Sequence, residues 1–523
     1  MQSLCDRFRT HAIILLLLLL VLVKAFLIDQ VHVRPLNDYD EARYAEVAKN
    51  VLKTGDVLVP MAGGPDEPQH IVTARLANDV PLNPFFWKPP LVVWLQALCM
   101  RLIGASELAA RLPSLFASIG ILVVLYKLMH EYKIKEIIAV ALTATYAVSY
   151  DFSYLAIQGT TDALLCFLGT LTAFCAHKDQ RYQRRYTYIA AAATGFAVLT
   201  KSVAAFWIPL LYFAIILLRK TATARLFIIY ITTAIVIGAP WFIFMYIQFG
   251  DIFITRHFLF NLKGGAEQGH NFAPPQWYLT YMMDMWKPVI FFTPLIIFTV
   301  IQTFRKKDLR MLPLLVWVLL IIVPFSIVGS KVWWYVYPLW PPFILLTAFS
   351  IDHIKTSVRH VVTATVFALS SGIPYWTTTI THIPLKPFLA VTATMTAVFF
   401  ANERYGPKLK KNQNRRFSIF TPLLPAATLA LGIYFSYINF PKNPAWNTNV
   451  RALGARHQNL VDFGVLGRAY EAPLFYFDTA QVATYNHTKT YLLVKHAGVE
   501  FNTKGYKVID KEGDLVLYKR INP

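Results

Sequence analysis

Three carboxylates, Asp38, Asp40 and Glu41, stand almost together in "DYDEARYAEVAKNVLKTG", which runs from Asp38 to Gly55 just after the first apolar run. A carboxylate held at a membrane surface can take a proton from, or orient, a hydroxyl or phosphate carried on a lipid head group. The same acids would also serve as helix caps. Side-chain oxygens at a helix start satisfy orphan N–H groups and complement the dipole, an effect of about 0.5–2 kcal/mol. One carboxylate suffices for capping, and Arg43 and Tyr44 follow at once. Both readings stand at this point.

Further stretches carry groups that could join Asp40 and Glu41. Lys88 stands before Pro89-Pro90 in "FWKPPLVVWLQAL" (86–98), and the prolines stiffen the entry to an apolar helix. Asp162 follows Thr160 and Thr161 in "YLAIQGTTDALLCFLGTL" (154–171), at the outer end of an apolar run. A carboxylate at the bilayer centre costs about 2.5–3.5 kcal/mol, and less at the mouth of a span. The loop "RHFLFNLKGGAEQGHNFAPPQWYLTYM" (256–282) offers Arg256, His257, Lys263 and His270 around a Gly-Gly hinge. Its basic residues suit phosphate, while the spacing of His257 and His270 matches no metal signature. Lys331 and Tyr335 lie four apart in "GSKVWWYVYPLWPP" (329–342), among aromatics that an interfacial belt would also explain. Lys201, in "VLTKSVAAFWIP", sits at another outer turn. Snorkelling, the stem in apolar surroundings and the charge in water, is the ordinary explanation for Lys88 and Lys201.

The elements that must position these groups are mostly membrane spans. The chain has 523 residues, 56% apolar and 15% charged, with a mean hydropathy of +0.45. That composition is that of a polytopic membrane protein. The net charge of +21 does not point to nucleic acid, because the basic residues sit in short loops between apolar runs. The four cysteines, Cys5, Cys99, Cys166 and Cys175, form neither a disulfide framework nor a zinc spacing.

A span needs roughly 20 apolar residues to cross a core of about 30 Å. Thirteen candidate spans result: 11–28, 107–129, 135–152, 161–177, 186–200, 203–218, 226–248, 279–303, 311–328, 334–350, 360–379, 386–402 and 418–439. The first lacks a small-x-small cleavage site and reads as an uncleaved span. Basic residues gather in every second loop, from Arg7 and Arg9 through Arg184 and Arg185 to Arg415 and Arg416. This puts the N-terminus in the cytoplasm and the C-terminus outside. Two outer segments are long, 29–106 and 249–278. In the first, Ala42, Ala45, Ala48 and Leu52 describe an amphipathic helix lying along the interface. After Pro441 the runs "PLFYF" (473–477), "TYLLV" (490–494), "YKVI" (506–509) and "DLVLYK" (514–519) read as strands. The fold class expected is an all-α polytopic domain over 1–440 with a small α/β domain over 441–523 on the outer face.

The ordered set "DEARYAEVAKNVL", "KPPLVVWL", "ARLPSLF" (110–116), "LTKS", the His-and-Pro loop and "SKVWWYVYP" resembles the polyprenyl-phosphate-sugar-dependent glycosyltransferases of the GT-C superfamily, in its aminoarabinose transferase-like and protein mannosyltransferase-like branch. The resemblance covers about 11–350 well and the remainder loosely. It implies a bacterial inner-membrane enzyme that moves a sugar from a polyprenyl-phosphate carrier to an envelope acceptor, such as lipid A, a glycan or a protein. Asp40 matches the acid at the reaction centre, with Glu41 and Arg43 beside it. Lys88 matches the lysine on the lipid phosphate, Asp162 the second outer acid near the sugar, and Tyr335 the tyrosine facing the carrier phosphate. Lys263 stands where the family has an arginine. Lys201 and Lys331 are further phosphate-binding candidates, and His257 and His270 further loop candidates. The aminoarabinose transferases carry an acid before Lys-Pro-Pro that, with histidines from the later loop, looks like a metal site. Here Trp87 takes that place, so no cofactor and no metal are expected. A transporter or lipid flippase is the alternative; it would use mid-span charges, broken helices and paired repeats, and no repeat is visible.

Overall fold

The computed structural model describes residues 14–15, 18–19, 21–23, 25–26, 31–32, 34–37, 40–63, 74–75, 81–147, 149–178, 184–259, 274–275, 277–278, 293–305, 307–329, 331–353, 445–457, 463–466, 475–476, 480–482, 491–495, 506–513 and 515–521. The apolar runs expected at 360–379, 386–402 and 418–439 lie outside them.

Helix α1 (Asp40–Thr54) opens on Asp40 and Glu41 and carries Lys53 in its last turn, so both ends complement the dipole. It stops at Gly55, whose φ of +73° is the left-handed conformation that glycine adopts without a Cβ clash. Short strands β1 (Met61–Ala62), β2 (Ala74–Arg75) and β3 (Pro81–Pro84) pair antiparallel in the order β1-β3-β2. Pro90 then caps α2 (Leu91–Ile103). The helical layer continues with α3 (Glu107–Glu131), α4 (Glu136–Ala147), α5 (Tyr150–Ile157), α6 (Thr161–Lys178), α7 (Arg185–Lys201), α8 (Trp207–Leu218) and α9 (Ala224–Phe249). It ends with α10 (Thr293–Arg305), α11 (Leu312–Ile327) and α12 (Trp340–His353).

Among the described residues, four helical stretches are long and apolar enough to cross a membrane: Glu107–Glu131, Arg185–Ala205, Ala224–Phe249 and Leu309–Ile327. The pair α5 and α6 is bent by 111° at its break and adds a fifth if counted as one broken span. A proline or unpaired backbone can interrupt a span only where protein re-satisfies the freed groups. Here Gln96 Nε2 donates to the Gly159 carbonyl at 2.9 Å inside the corner. Close crossing of α7 and α9 depends on Gly195 and Gly238. A Cβ on Gly195 would sit 2.8 Å from the Ile237 Cβ, so only a bare backbone fits.

The main core joins α3 to α8 with α11 and α12, around Trp207, Trp317 and Tyr212. A second core is shared between α1, α2, the start of α3 and the C-terminal segment. There α13 (Ala445–Arg456) packs on a five-stranded sheet of β4 (Phe463–Leu466), β5 (Ala480–Val482), β6 (Tyr491–Lys495), β7 (Tyr506–Glu512) and β8 (Leu515–Arg520). The strand order is β5-β4-β6-β8-β7; β4 runs parallel to β5 and β6, and β8 antiparallel to β6 and β7.

Two expectations change. The Ala42, Ala45 and Ala48 stripe of α1 does not face lipid. Residues Glu41 to Ala48 are all buried, because the C-terminal sheet closes over the small side chains with Val450, Leu453, Phe475 and Leu517. Within "PLFYF", Phe475 and Tyr476 form a helical turn rather than a strand. The runs at 490–494, 506–509 and 514–519 do form β6, β7 and β8.

Candidate active site

Asp40 begins α1, and Lys88, Lys201, Asp162 and Arg43 all lie close enough to act on its carboxylate. Burial pushes the Asp40 carboxyl above its usual range, with Asp162 adding to the rise. The cations Lys88, Lys201 and Arg43 pull it back. Burial lowers Lys88 in turn, helped by Lys201, while Asp40 and Asp162 oppose the drop. Tyr44, one turn into α1, feels Asp40, Asp162 and Tyr335, and burial keeps its phenol protonated. Five separate segments therefore converge: the start of α1, the loop before α2, the α6 N-terminus, the α7 C-terminus and the Trp333–Leu339 turn.

Lys201 does not snorkel. Its Nζ lies 2.6 Å from Asp162 Oδ1, and both side chains are only 7% exposed. The same Nζ stands 4.7 Å from the Tyr335 ring centroid. Each partner sits at the helix end its charge favours, the acid in the first turn of α6 and the lysine in the last turn of α7. Just beyond, Ser202 takes a left-handed φ of +49°. That conformation costs a non-glycine residue about 1–2 kcal/mol. It breaks the helix at the point where Lys201 turns to Asp162.

Glu41 has a different place. Arg111 Nε donates to Glu41 Oε1 at 2.7 Å and Arg111 Nη2 to Oε2 at 3.2 Å, with both side chains 1% exposed. Glu41 Oε2 also accepts from the Asn37 N–H at 2.7 Å, and Oε1 from the Gly159 N–H at 3.0 Å. The other Arg111 donors reach the carbonyls of Val31, Arg34 and Pro35. The carboxylate expected to act in the reaction is thus saturated by partners that tie the α1 entry to the α5–α6 corner. Neither oxygen is left to face a substrate.

The remaining candidates divide. Lys331 Nζ bonds the Val328 carbonyl of its own loop and stands 5.9 Å from the Tyr278 ring. His257 is tied to the chain before Lys88. Its Nδ1–H donates to the Phe86 carbonyl at 2.7 Å, and its ring stacks on Phe253 with centroids 5.1 Å apart. Burial lowers its pKa to about 4, so the imidazole is neutral and pins the backbone two residues before Lys88. Lys263 and His270 lie outside the described residues. Arg43 stacks on Trp87 at 4.9 Å, so an indole occupies the position that would supply a metal-binding acid. No group of three His, Cys, Asp or Glu suited to a metal occurs among the described residues, and the side chains at Trp87 do not fit one. Sequence reading passed over Tyr44, Gln96 and Arg111. Arg111 carried a signal, a lone arginine inside an apolar helix.

Residues 87–244 match the family described as dolichyl-phosphate-mannose-protein mannosyltransferase. The crystal structure of ArnT from Cupriavidus metallidurans bound to undecaprenyl phosphate superposes with a TM-score of 0.66 at 16% identity, covering 96% of this chain and 97% of that one. The fold is that of this ArnT structure. The chain is 23% identical over 327 residues to an undecaprenyl phosphate-alpha-4-amino-4-deoxy-L-arabinose arabinosyl transferase of Photorhabdus laumondii, covering 60% of this chain and 56% of that protein. It is 24% identical over 313 residues to an uncharacterized protein of Aquifex aeolicus, covering 59% and 58%. The chain therefore matches little more than half the length of these two relatives.

Proposed function

We propose that the chain is an integral-membrane glycosyltransferase that moves a sugar from a polyprenyl-phosphate carrier to an envelope acceptor, with inversion at the anomeric carbon. The observation that carries this reading is the convergence of Asp40, Lys88, Asp162, Lys201 and Tyr335 from distant parts of the chain. The geometry is that of a site for an anionic leaving group beside a base. The acceptor oxygen attacks C1 from the face opposite the phosphate. The C1–O bond to phosphate breaks, and its electron pair leaves as polyprenyl phosphate.

Asp40 receives the proton of an acceptor hydroxyl, and burial, by raising its pKa, makes its carboxylate a stronger base. Where the acceptor is itself a phosphate anion, no base is needed and Asp40 orients it. Lys88 and Arg43 stabilise the departing charge. Tyr335 faces the carrier phosphate, and Lys201 holds Asp162 toward the sugar hydroxyls. No step passes through a metal. Lipid A, a glycan and a protein are the acceptor classes this chemistry admits.

The remaining architecture belongs to the same proposal. Thirteen spans over 1–440 put the N-terminus in the cytoplasm of a bacterial inner membrane. The α/β segment 441–523 then lies outside it. The experiment is mass spectrometry of envelope glycolipids and glycoproteins from cells with and without the gene. A glycoform lost on deletion and restored by the gene, but not by its Asp40→Asn form, is the expected result. Identical profiles would overturn the reading.

A further inference from the structure

One turn of the C-terminal segment, Phe475 and Tyr476, bonds the elements that carry the candidate site. Leu36 N–H donates to the Tyr476 phenolic oxygen at 3.0 Å. The Tyr476 hydroxyl donates to Glu107 Oε1 at 3.1 Å, at the first turn of α3. Arg451 from α13 meets the same Glu107 oxygen at 2.9 Å. One residue back, the Phe475 carbonyl accepts from Lys49 Nζ of α1 at 2.8 Å.

These contacts close a circuit. Glu107 lies one helical turn before Arg111 on α3. Arg111 holds the Pro35 carbonyl, next to Leu36, and the Glu41 carboxylate, next to Asp40. The C-terminal turn thus holds one end of the peptide segment that delivers Asp40, at Leu36, Arg111 holds the other at Glu41, and Lys49 fixes the far half of the same helix to Phe475. Burial and the Glu107 carboxylate keep the Tyr476 phenol protonated, so it remains a donor. The shared core of Val450, Leu453 and Phe475 against α1 makes the contact a packed one rather than a surface touch.

We propose that Tyr476 is a positioning residue, through which the C-terminal sheet sets the placement of α1 and so of Asp40. The proposal rests on the transferase reading and explains why a sheet lies over a membrane-embedded site. Tyr476 touches no reacting atom, so its loss acts on the chemical step through α1.

The test compares the full-length protein in nanodiscs with its Tyr476→Phe and Glu107→Gln forms and the double variant. The readouts are turnover of a polyprenyl-phosphate sugar, donor KM, and hydrogen exchange over residues 36–54. Losing one hydrogen bond of this kind lowers turnover about fivefold to tenfold. Expected are that fall with donor KM within about twofold, faster exchange over 36–54 alone, and a double variant less impaired than the two losses multiplied. Unchanged exchange over 36–54 in both single variants overturns the proposal whatever the activity. So does a rise in donor KM that accounts for the whole loss, or a multiplicative double variant. Failure of the transferase reading is seen separately, as absence of turnover by the unaltered protein.

Discussion

At the scale of single residues, buried charge is the organising cost. An ion in low dielectric is stable only when paired and hydrogen-bonded, and removing one partner of a buried pair costs about 3–5 kcal/mol. Lys201 and Asp162 meet that condition. Lys201→Met therefore lowers the thermal midpoint sharply, and Lys201→Met with Asp162→Leu recovers part of the loss, as read by melting in detergent. Glu46 is the instructive contrast. It is buried on α1, accepts from Asn50 Nδ2 and from the Gly63 N–H at 3.2 Å, and burial raises its pKa from 4.5 to about 7. Arg43, the hydrogen bonds from Asn50 and Gly63, and Lys53 all oppose that rise without cancelling it. The folded value exceeds the unfolded one, so the neutral acid favours folding. Its contribution is fully present below pH 4.5 and is lost as the pH climbs toward 7. A thermal midpoint that rises on acidification from pH 7 to 5, with the rise reduced in Glu46→Gln, is the expected result. Asp40, Lys88 and Asp162 were legible in sequence as exposed-face acids and bases between apolar runs. The pairing of Lys201 with Asp162 was not, because sequence separation says nothing about which helix ends meet.

At the scale of elements, the α5–α6 corner does what a straight span cannot: it brings the helix N-terminus carrying Asp162 up to α1. Gly159 sits at that corner with its N–H on Glu41, and a Cβ there would lie 2.8 Å from the Ala110 carbonyl oxygen and 2.9 Å from Gln96 Nε2. Neither neighbour is a flexible tip, since the Gln96 amide itself bonds both carbonyls. Gly159→Ala costs about 1–3 kcal/mol of stability and lowers turnover, checked by melting and transfer assays on the same preparation. Arg111→Met leaves the Glu41 carboxylate buried without its cation and is more damaging still. The amphipathic pattern of α1 was visible in the sequence, but its partner was misjudged. Alanine spacing reports that a face is buried, and lipid and a packed sheet demand the same small apolar stripe. Phe475 and Tyr476 misled for a related reason. Aromatic residues favour strands only where they pack on a pleated surface, and here they plug α1 instead.

At the scale of the whole molecule, the start of α1, the loop before α2, the ends of α6 and α7 and the Trp333–Leu339 turn meet around one cluster of opposite charges. That convergence favours the proposed transferase over a carrier, whose charges would spread along a translocation path. It was legible only through the ordered motifs, since no single stretch specifies contact with another. The most direct measurement uses purified protein in nanodiscs with a radiolabelled polyprenyl-phosphate sugar and follows label leaving the carrier, in the unaltered chain and in Asp40→Asn. The expected result is release of polyprenyl phosphate by the unaltered chain and a fall of about 10²–10⁴-fold in Asp40→Asn when the acceptor is a hydroxyl, with the protein still folded. Equal rates in the two proteins, or no release by either, would contradict it.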